Sequence, residues 1–333
     1  MDFCINCRVN LNPYFQLDSS LYEHPADRAA LNALKKMKPF NMLVRMVIDK
    51  LMVPWMNAQY LGSGVKVTRK QFPELYKLEI EAAKTLAVPR LPKMYVVYSP
   101  YMNAFTIGTN EDPVIVLFSA IIDEMSEDEL KAVIGHEMGH IKSNHVLYHT
   151  VGQILGSVAT SALSGIPFAN YLTGGVRIAL LAWMRKSEYT ADRAALLVSG
   201  NLEAVRNALI KLQLGSRKLF DKLDMEEYME QLQELDEEKI GKWSELFLTH
   251  PFGVRRVENL NKFYENPVFK ELRTKIEKFL RGEYVPEEVE EEEEYEEVSE
   301  EIEVVTEVRF CPHCGAKVRP GSKFCTNCGA KLR

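Results

Sequence analysis

Two histidines one helical turn apart constrain this chain more than any other feature of its sequence. Ser126 and Glu129 form the pattern of a capping box that begins a helix, and no proline interrupts the sequence from there to His149. On such a helix His136 and His140 lie about 40° apart around the axis, so both imidazoles can reach one metal ion. The fold must then bring a further ligand from another segment.

The residues around the two histidines support this interpretation. Glu137 completes the pattern His136-Glu137-x-x-His140, in which the carboxylate can accept a proton from a water molecule that the metal activates. Gly135 and Gly139 are poor helix formers that cost about 1 kcal/mol each relative to alanine. We therefore predict that another backbone packs closely against this helix.

A second predicted helix, over about 176–198, offers the third ligand. Glu188 lies on it, and Asp192 follows one turn later, where it can hydrogen-bond the outer nitrogen of a ligating histidine. Taken alone, the two acids would be assigned to a solvated helix face beside Arg185 and Lys186. Together with the histidine pair they favour a zinc site with ligands His136, His140 and Glu188.

His145 and His149 form another pair four residues apart. If the first helix continues through His149, they fall about 180° and 220° around the axis from His136. We therefore expect these two histidines to lie on the opposite face, away from the metal.

The rest of the pattern predicts an α+β fold, with a small sheet and a majority of helices. Helical patterns cover 20–60, 74–86 after Pro73, and much of 202–247. The strand candidates are 94–99, 104–108 and 114–118, each rich in β-branched or aromatic residues.

Charge is strongly segregated along the chain. Residues 283–308 contain fourteen Glu and no Lys or Arg, and the last 25 residues contain six Lys or Arg and no acid. The acidic run is typical of an extended tether. We therefore predict an N-terminal helical segment (1–70), a catalytic domain (71–281), an acidic linker (282–308) and a C-terminal module (309–333).

The C-terminal module has the spacing of a four-cysteine zinc ribbon. Cys311 and Cys314 form one CxxC-Gly knuckle, and Cys325 and Cys328 form the other. Four thiolates make a closed tetrahedral site, so this zinc is expected to be structural. Docking of a protein partner is the favoured role, because no row of aromatic residues supports nucleic-acid binding.

Cys4 and Cys7 form half of such a site. They could complete a zinc site across a dimer, act as a redox pair, or be surface thiols, and the last two are favoured. Cysteines confined to CxxC pairs, with no N-terminal signal sequence, predict a cytoplasmic protein.

Residues 151–184 contain Arg177 as their only charge and are long enough to cross a bilayer. Glycines and Pro167 interrupt them, which favours two short buried helices joined near Pro167 over one span. Peripheral membrane contact through this stretch remains an open alternative.

These motifs resemble those of the HtpX-like peptidase family, which includes the CAAX prenyl endopeptidases. The resemblance rests on 136–140, on 187–192 and on Asn103-Ala104-Phe105, and it covers about 20–265. It implies a zincin-like fold in which two histidines and one glutamate hold zinc. Members often carry N-terminal membrane spans, which this sequence does not predict.

The resemblance also implies roles for residues outside the zinc motif. Asn103, Ala104 and Phe105 correspond to a strand that borders the active site and pairs with an extended substrate. His250, in Thr249-His250-Pro251, and Arg256 correspond to a late motif that stabilises the oxyanion or clamps the substrate. A capping turn with a surface arginine is the plain alternative for this motif.

We therefore expect a cytoplasmic zinc endopeptidase that acts on extended or misfolded polypeptides, with Glu137 as general base and with peripheral membrane contact through 151–184 left open. One alternative is a membrane-embedded quality-control protease. The other is a non-catalytic zinc-binding adaptor, against which the intact Glu137 argues, since an adaptor needs no general base.

Deletion of residues 283–333 is predicted to remove one of two bound zinc ions and to leave hydrolysis of a short peptide unchanged. A ribbon on a flexible tether samples a large volume and is suited to recruitment, so cleavage of whole proteins should fall. Metal analysis of both chains checks the first part. A truncated protein without zinc would contradict it.

Overall fold

The computed structural model describes residues 3–4, 8–11, 15–36, 53–157, 175–237, 248, 250–284, 309–310 and 317–318. The chain separates into two compact units, Met1–Pro286 and Glu287–Arg333.

The first unit is built mainly from helices. After a 3-10 turn at Ser19–Leu21 they are α1 (Pro25–Lys35), α2 (Val53–Ser63), α3 (Pro73–Thr85), α4 (Ser119–Glu124), α5 (Glu127–Lys142), α6 (Val146–Ser157), α7 (Gly175–Ser199), α8 (Leu202–Leu214), α9 (Arg217–Phe220), α10 (Met225–Glu237), α11 (Gly253–Glu265) and α12 (Pro267–Leu280).

A four-stranded mixed sheet completes this unit. Its strands are β1 (Val65–Lys66), β2 (Lys93–Val97), β3 (Ala104–Gly108) and β4 (Pro113–Phe118), in the order β1-β2-β4-β3. β2 and β4 are parallel, and the other two pairs are antiparallel. In the described part of the chain β3 is therefore an edge strand. The predicted α+β class is confirmed, and only the two-residue β1, too short to carry a periodic pattern, was missed.

The central strand β4 is buried on both faces. Ile115 and Leu117 belong to the main core, together with Ile134 and Met138 of α5. The alternating residues of β4 face the other side of the sheet and form a smaller cluster with neighbours that include Phe105. Burial on both faces explains why this strand is an unbroken apolar run.

The prediction of one long helix through His149 is wrong, because the structure has two helices there. Helix α5 begins with the predicted capping box, in which Ser126 and Glu129 bond each other's backbone, and it ends at Lys142. Asn144 adopts the left-handed region with φ +59°, a conformation that asparagine tolerates better than most residues. The chain turns there, and α6 runs in a new direction.

Helices α5 and α7 approach closely at two glycines, as predicted. A Cβ at Gly135 would lie 2.8 Å from Cβ of Val198, and one at Gly139 would lie 2.5 Å from Cβ of Ala194. Real Cβ atoms do not approach so closely, so side chains at both positions are excluded. The glycines thus set the distance between the helix of His136 and the helix of Glu188.

Of the second unit, two short strands are described, β5 (Arg309–Phe310) and β6 (Lys317–Val318), which pair antiparallel. Cys311, Cys314, Cys325 and Cys328 lie outside the described residues, as does the acidic run at 285–308. Cys4 is described and half-buried, whereas Cys7 is not among the described residues.

The apolar stretch 151–184 contributes the end of α6 and the start of α7, and Pro167 lies outside the described residues. Within the described ranges no helix has the length and apolar character needed to cross a bilayer.

Gly139→Ala is predicted to lower the free energy of unfolding by about 1–3 kcal/mol, the usual effect of overpacking. The added methyl group would collide with Ala194 and push α7 away from α5, so bound zinc should be lost as well. Denaturant titration and metal analysis of the same sample measure both effects.

Gly62→Ala is the matched control. It lies in α2, where no described atom lies within 4 Å of an added Cβ. Because alanine is the better helix former, this variant should gain up to about 1 kcal/mol. Destabilisation of both variants by the same amount would contradict the packing argument.

Candidate metal centre

Three potential ligands from α5 and α7 converge on one point. Nε2 of His136 and Nε2 of His140 are 3.2 Å apart. The carboxylate oxygens of Glu188 lie 3.4 Å from the first nitrogen and 3.5 Å from the second. Ligands on a tetrahedral zinc, with bonds of about 2.0–2.1 Å, lie roughly 3.3 Å apart. The three separations therefore fit a zinc ion.

The chemistry of the donor set fits zinc as well. Two imidazoles and one carboxylate, with a fourth position left open, are the ligands of catalytic zinc sites. Oε2 of Glu188 is buried and accepts no hydrogen bond from a described residue, although Nη2 of Arg256 lies 3.3 Å away. A buried carboxylate oxygen with an unfilled acceptor position is suited to binding a metal ion.

Asp192 orients the first histidine, in the geometry expected from the sequence. Its Oδ1 lies 3.0 Å from Nδ1 of His136, which places the proton on Nδ1 and leaves Nε2 for the metal. Arg256 donates two hydrogen bonds to Asp192, from Nε at 2.9 Å and from Nη2 at 2.6 Å. The same Nη2 is 3.3 Å from Oε2 of Glu188.

Neighbouring cationic groups and hydrogen bonds keep Glu188 and Asp192 charged. Burial alone would raise the pKa of Asp192, but Arg256 and the hydrogen bond with His136 lower it. Burial likewise opposes the charge of Glu188, but His250 and Arg256 hold its pKa well below the usual range. Both acids are therefore anionic at neutral pH.

The pKa values of His136 and His140 are shifted in opposite directions. Burial lowers the pKa of His140 to about 4, so this imidazole is neutral at pH 7 and ready to bind a metal. Burial also opposes the charge of His136, but its hydrogen bond with Asp192 and the nearby carboxylate of Glu188 outweigh it and raise its pKa to about 10. A metal ion at this site would displace that proton.

Glu137 is buried beside the ligands, and Thr106 of β3 donates a hydrogen bond to its Oε2 at 2.7 Å. Burial raises the pKa of Glu137, whereas the charge of His136 and the Thr106 hydrogen bond lower it. Thr106 was missed in the sequence. The available signal was its alternation with Ala104, because residues two apart on a strand share a face.

These side chains line a cavity of roughly 290 Å³. Its charged and polar lining includes His136, Glu137, Glu188, His250 and Arg256. Its apolar lining includes Val133 of α5 and residues of α8, namely Val205, Ala208, Leu209 and Leu212. The cavity thus has both charged and apolar walls.

The strand residues expected at the cavity are divided between two surfaces. Asn103 and Ala104 line it, so the start of β3 borders the site. Phe105 points to the other face of the sheet. Its ring centroid lies 5.7 Å from that of Phe118, in an edge-to-face arrangement, and 6.3 Å from that of Tyr60. The alternation of side chains along a strand explains this division.

The late motif also reaches the cavity. Nε2 of His250 lies 3.7 Å from Oε1 of Glu188, and the His250 side chain is 59% exposed. The Arg256 side chain is only 13% exposed and forms a salt bridge with Asp192. Their catalytic roles stay predictions, and Thr249 lies outside the described residues.

The expectation that His145 and His149 lie away from the metal is wrong. Nδ1 of His145 is 3.1 Å from Nδ1 of His140, and the ring of His149 lies 4.3 Å from that of His140. The turn at Asn144 reverses the faces that a continuous helix would have presented. The sequence around 143–145 contains no glycine or proline to mark that turn.

Comparison with known proteins identifies the family. The model of Peptidase family M48 matches residues 69–263, more than half of the chain. The chain belongs to peptidase family M48. A zinc-ribbon domain model matches residues 310–332, which confirms the ribbon predicted from the four cysteines. The resemblance to the HtpX-like family is likewise confirmed.

The individual relatives are also named as metallopeptidases or proteases. It is 29% identical over 264 residues to the chloroplastic plastoglobule-localized metallopeptidase 48 of Arabidopsis thaliana, covering 77% of this chain and 76% of that protein. It is 27% identical to a protease HtpX homolog of Burkholderia thailandensis, covering 64% and 79%. A homolog in Thermococcus sibiricus is 26% identical, covering 66% and 81%.

Among solved structures, the chain aligns with the crystal structure of S. mikatae Ste24p. The TM-score is 0.41 at 18% identity, and the alignment covers 70% of this chain and 58% of that one. Membership of family M48 makes this chain a zinc-dependent metallopeptidase.

Thr106→Val is predicted to move the acid limb of the pH–activity profile to higher pH. The hydroxyl stabilises the charged form of Glu137, so its loss raises the pKa of this carboxyl further. Less of the carboxylate is then available as a base at a given acidic pH. The profile of kcat/KM against pH measures the shift.

Thr106→Ser is the control for this prediction, because it keeps the hydroxyl and should keep the wild-type acid limb. Superimposable profiles of the valine variant and the wild type would show that Thr106 has no influence on the catalytic ionisation.

Proposed function

We propose that this chain is a zinc-dependent endopeptidase that cleaves extended or misfolded polypeptides, with one catalytic and one structural zinc ion. The observation that carries the proposal is the cavity itself. It lies beside three ligand atoms at zinc spacing, and a buried Glu137 and the start of an edge strand line it.

Substrate binding is assigned to β3 and to the apolar residues that line the cavity. An edge strand offers unpaired backbone groups, so an extended peptide can add to it by main-chain hydrogen bonds with little sequence specificity. The wall formed by Val205, Leu209 and Leu212 would accept an apolar side chain next to the scissile bond. Unfolded segments, which expose such residues, are the fitting substrates.

His136, His140 and Glu188 would hold the catalytic zinc. When bound, zinc lowers the pKa of water to about 7 and polarises the scissile carbonyl. Glu137 is assigned the proton transfers: its carboxylate takes a proton from the attacking water and passes it to the leaving amine.

Two further residues have distinct assignments. His250 is exposed at the cavity and stands 3.7 Å from Glu188, where an imidazole can stabilise the developing oxyanion. Arg256 is assigned to holding Asp192, since its Nε and Nη2 both donate to that carboxylate. We propose that the ribbon is a docking module for a protein partner and that the protein acts in the cytoplasm.

Glu137→Gln is predicted to keep zinc and to lose proteolysis. The amide matches the carboxylate in size but cannot accept a proton, so kcat should fall by at least ~100-fold, the usual contribution of a general base. Zinc content and hydrolysis of an unfolded substrate such as casein are measured on the same preparation. Activity near that of the wild type would refute the mechanism.

Glu129→Gln is the matched control on the same helix. This residue is also buried, but it serves the capping box and pairs with Lys211 at 2.8 Å. Glutamine can replace glutamate in a capping box, so kcat should be retained.

The two alternatives have tests of their own. A non-catalytic adaptor would leave casein intact even when the wild-type chain is fully loaded with zinc. A membrane-embedded protease would remain in the membrane fraction unless detergent is added.

A further inference from the structure

A chain of buried contacts leaves the metal centre on the side away from the cavity. Nδ1 of His140 is 3.1 Å from Nδ1 of His145. Nε2 of His145 is in turn 3.1 Å from Oδ2 of Asp27, at ion-pair distance but without the geometry of a hydrogen bond. Asp27 and His145 are both fully buried. The contacts thus link a zinc ligand to a carboxylate of α1.

The proton positions along this chain follow from the donors and acceptors. Nε2 of His140 faces His136 and Glu188. A neutral histidine that binds zinc through Nε2 carries its proton on Nδ1. That proton can only be donated to Nδ1 of His145, which must be unprotonated, so the His145 proton is on Nε2, facing Asp27.

Asp27 is itself held in place by helix α7. Nε1 of Trp183 donates to its Oδ1 at 2.9 Å, and Oγ1 of Thr190 donates to its Oδ2 at 2.5 Å. Burying a carboxylate costs several kcal/mol unless such partners compensate. These donors therefore account for how a charge can be buried at this position.

We propose that Asp27 and His145 are positioning residues that fix the tautomer and the ring orientation of the zinc ligand His140. The proposal rests on the proposed function, because it takes His140 as a zinc ligand. His136 is oriented by a carboxylate directly, through Asp192, whereas His140 would be oriented by one through an intervening imidazole. Partners of this kind typically contribute 10–100-fold to metal affinity.

Asp27 lies outside the region of the chain that the family model matches. The match to family M48 begins at residue 69, so α1 precedes the matched region. The N-terminal segment would then complete the zinc site of the domain that follows it.

A second metal ion among His140, His145 and His149 is the competing explanation, since their nitrogen atoms lie within 4.8 Å of one another. His140 would then have to bind two ions and lose both ring protons. In addition, Nε2 of His149 lies 2.7 Å from Oγ of Ser187, whose hydroxyl donates to the backbone oxygen of Met184. These contacts favour the positioning role.

The test compares two substitutions of His145 in the full-length protein. His145→Leu keeps apolar bulk but has no acceptor, so the affinity of the catalytic site for zinc should fall by ~10–100-fold. His145→Asn places an amide oxygen near the position of Nδ1 and should restore most of that loss. The dissociation constant is measured by competition with a chelator, and the thermal stability of each metal-free variant is recorded alongside.

A second pair of variants tests the carboxylate. Asp27→Asn removes the charge and should weaken zinc binding, by up to ~10-fold. Trp183→Phe removes one donor to Asp27 but keeps its charge and the path to His140, so it should weaken zinc binding less than Asp27→Asn does. If His145→Leu does not fold, this pair decides the question.

The ribbon zinc is the internal reference. Cobalt bound to four thiolates has charge-transfer absorption that a site of two histidines and one glutamate lacks, so the two sites can be followed separately. Substitutions at residues 27 and 145 should leave the ribbon signal unchanged.

Three results would overturn the proposal: wild-type zinc affinity in His145→Leu, an asparagine variant as weak as the leucine variant, or three zinc ions per wild-type chain. The failure of the proposed function would look different. In that case the wild-type chain itself would bind zinc only at the ribbon.

Discussion

Helices α5 and α7 meet at Gly135 and Gly139, and the ligand geometry is a consequence of that meeting. With a side chain at either glycine the helices would have to separate, and Glu188 could no longer lie within 3.5 Å of the histidine nitrogens. Each glycine costs about 1 kcal/mol of helix propensity. This cost is borne in the helix that also holds both histidines, which links the packing of the core to the chemistry of the site.

Close packing also concentrates charge in the interior. Glu137, Glu188 and Asp192 are all buried and line one cavity, and the Arg256 guanidinium contacts two of them. Buried charges of one sign destabilise a fold unless counter-charges offset them. A divalent cation at the ligand trio would supply that compensation, so metal binding and folding stability should be coupled. The apo protein is accordingly expected to be less stable than the zinc-loaded one.

Three sets of neighbouring residues surround His136, His140 and Glu188. The edge strand β3 and the apolar residues of α8 form the side that faces the cavity. Asp192 and Arg256 support His136 from a second side. On the third side, His145 and Asp27 connect His140 to the N-terminal helix α1. Segments far apart in the sequence therefore act on adjacent ligands, and the N-terminal segment is part of the architecture of the site.

The sequence by itself determined the features that depend on local periodicity. The spacing of His136 and His140, the capping box at Ser126, the strands and the CxxC pairs are all set within a few residues, so local rules predict them. Only the tertiary structure decided which distant side chains meet. The turn at Asn144 redirected His145 toward His140, and folding brought Asp27 and Thr106 to the site from other elements. No local pattern encodes such contacts, because they arise from how helices and strands pack.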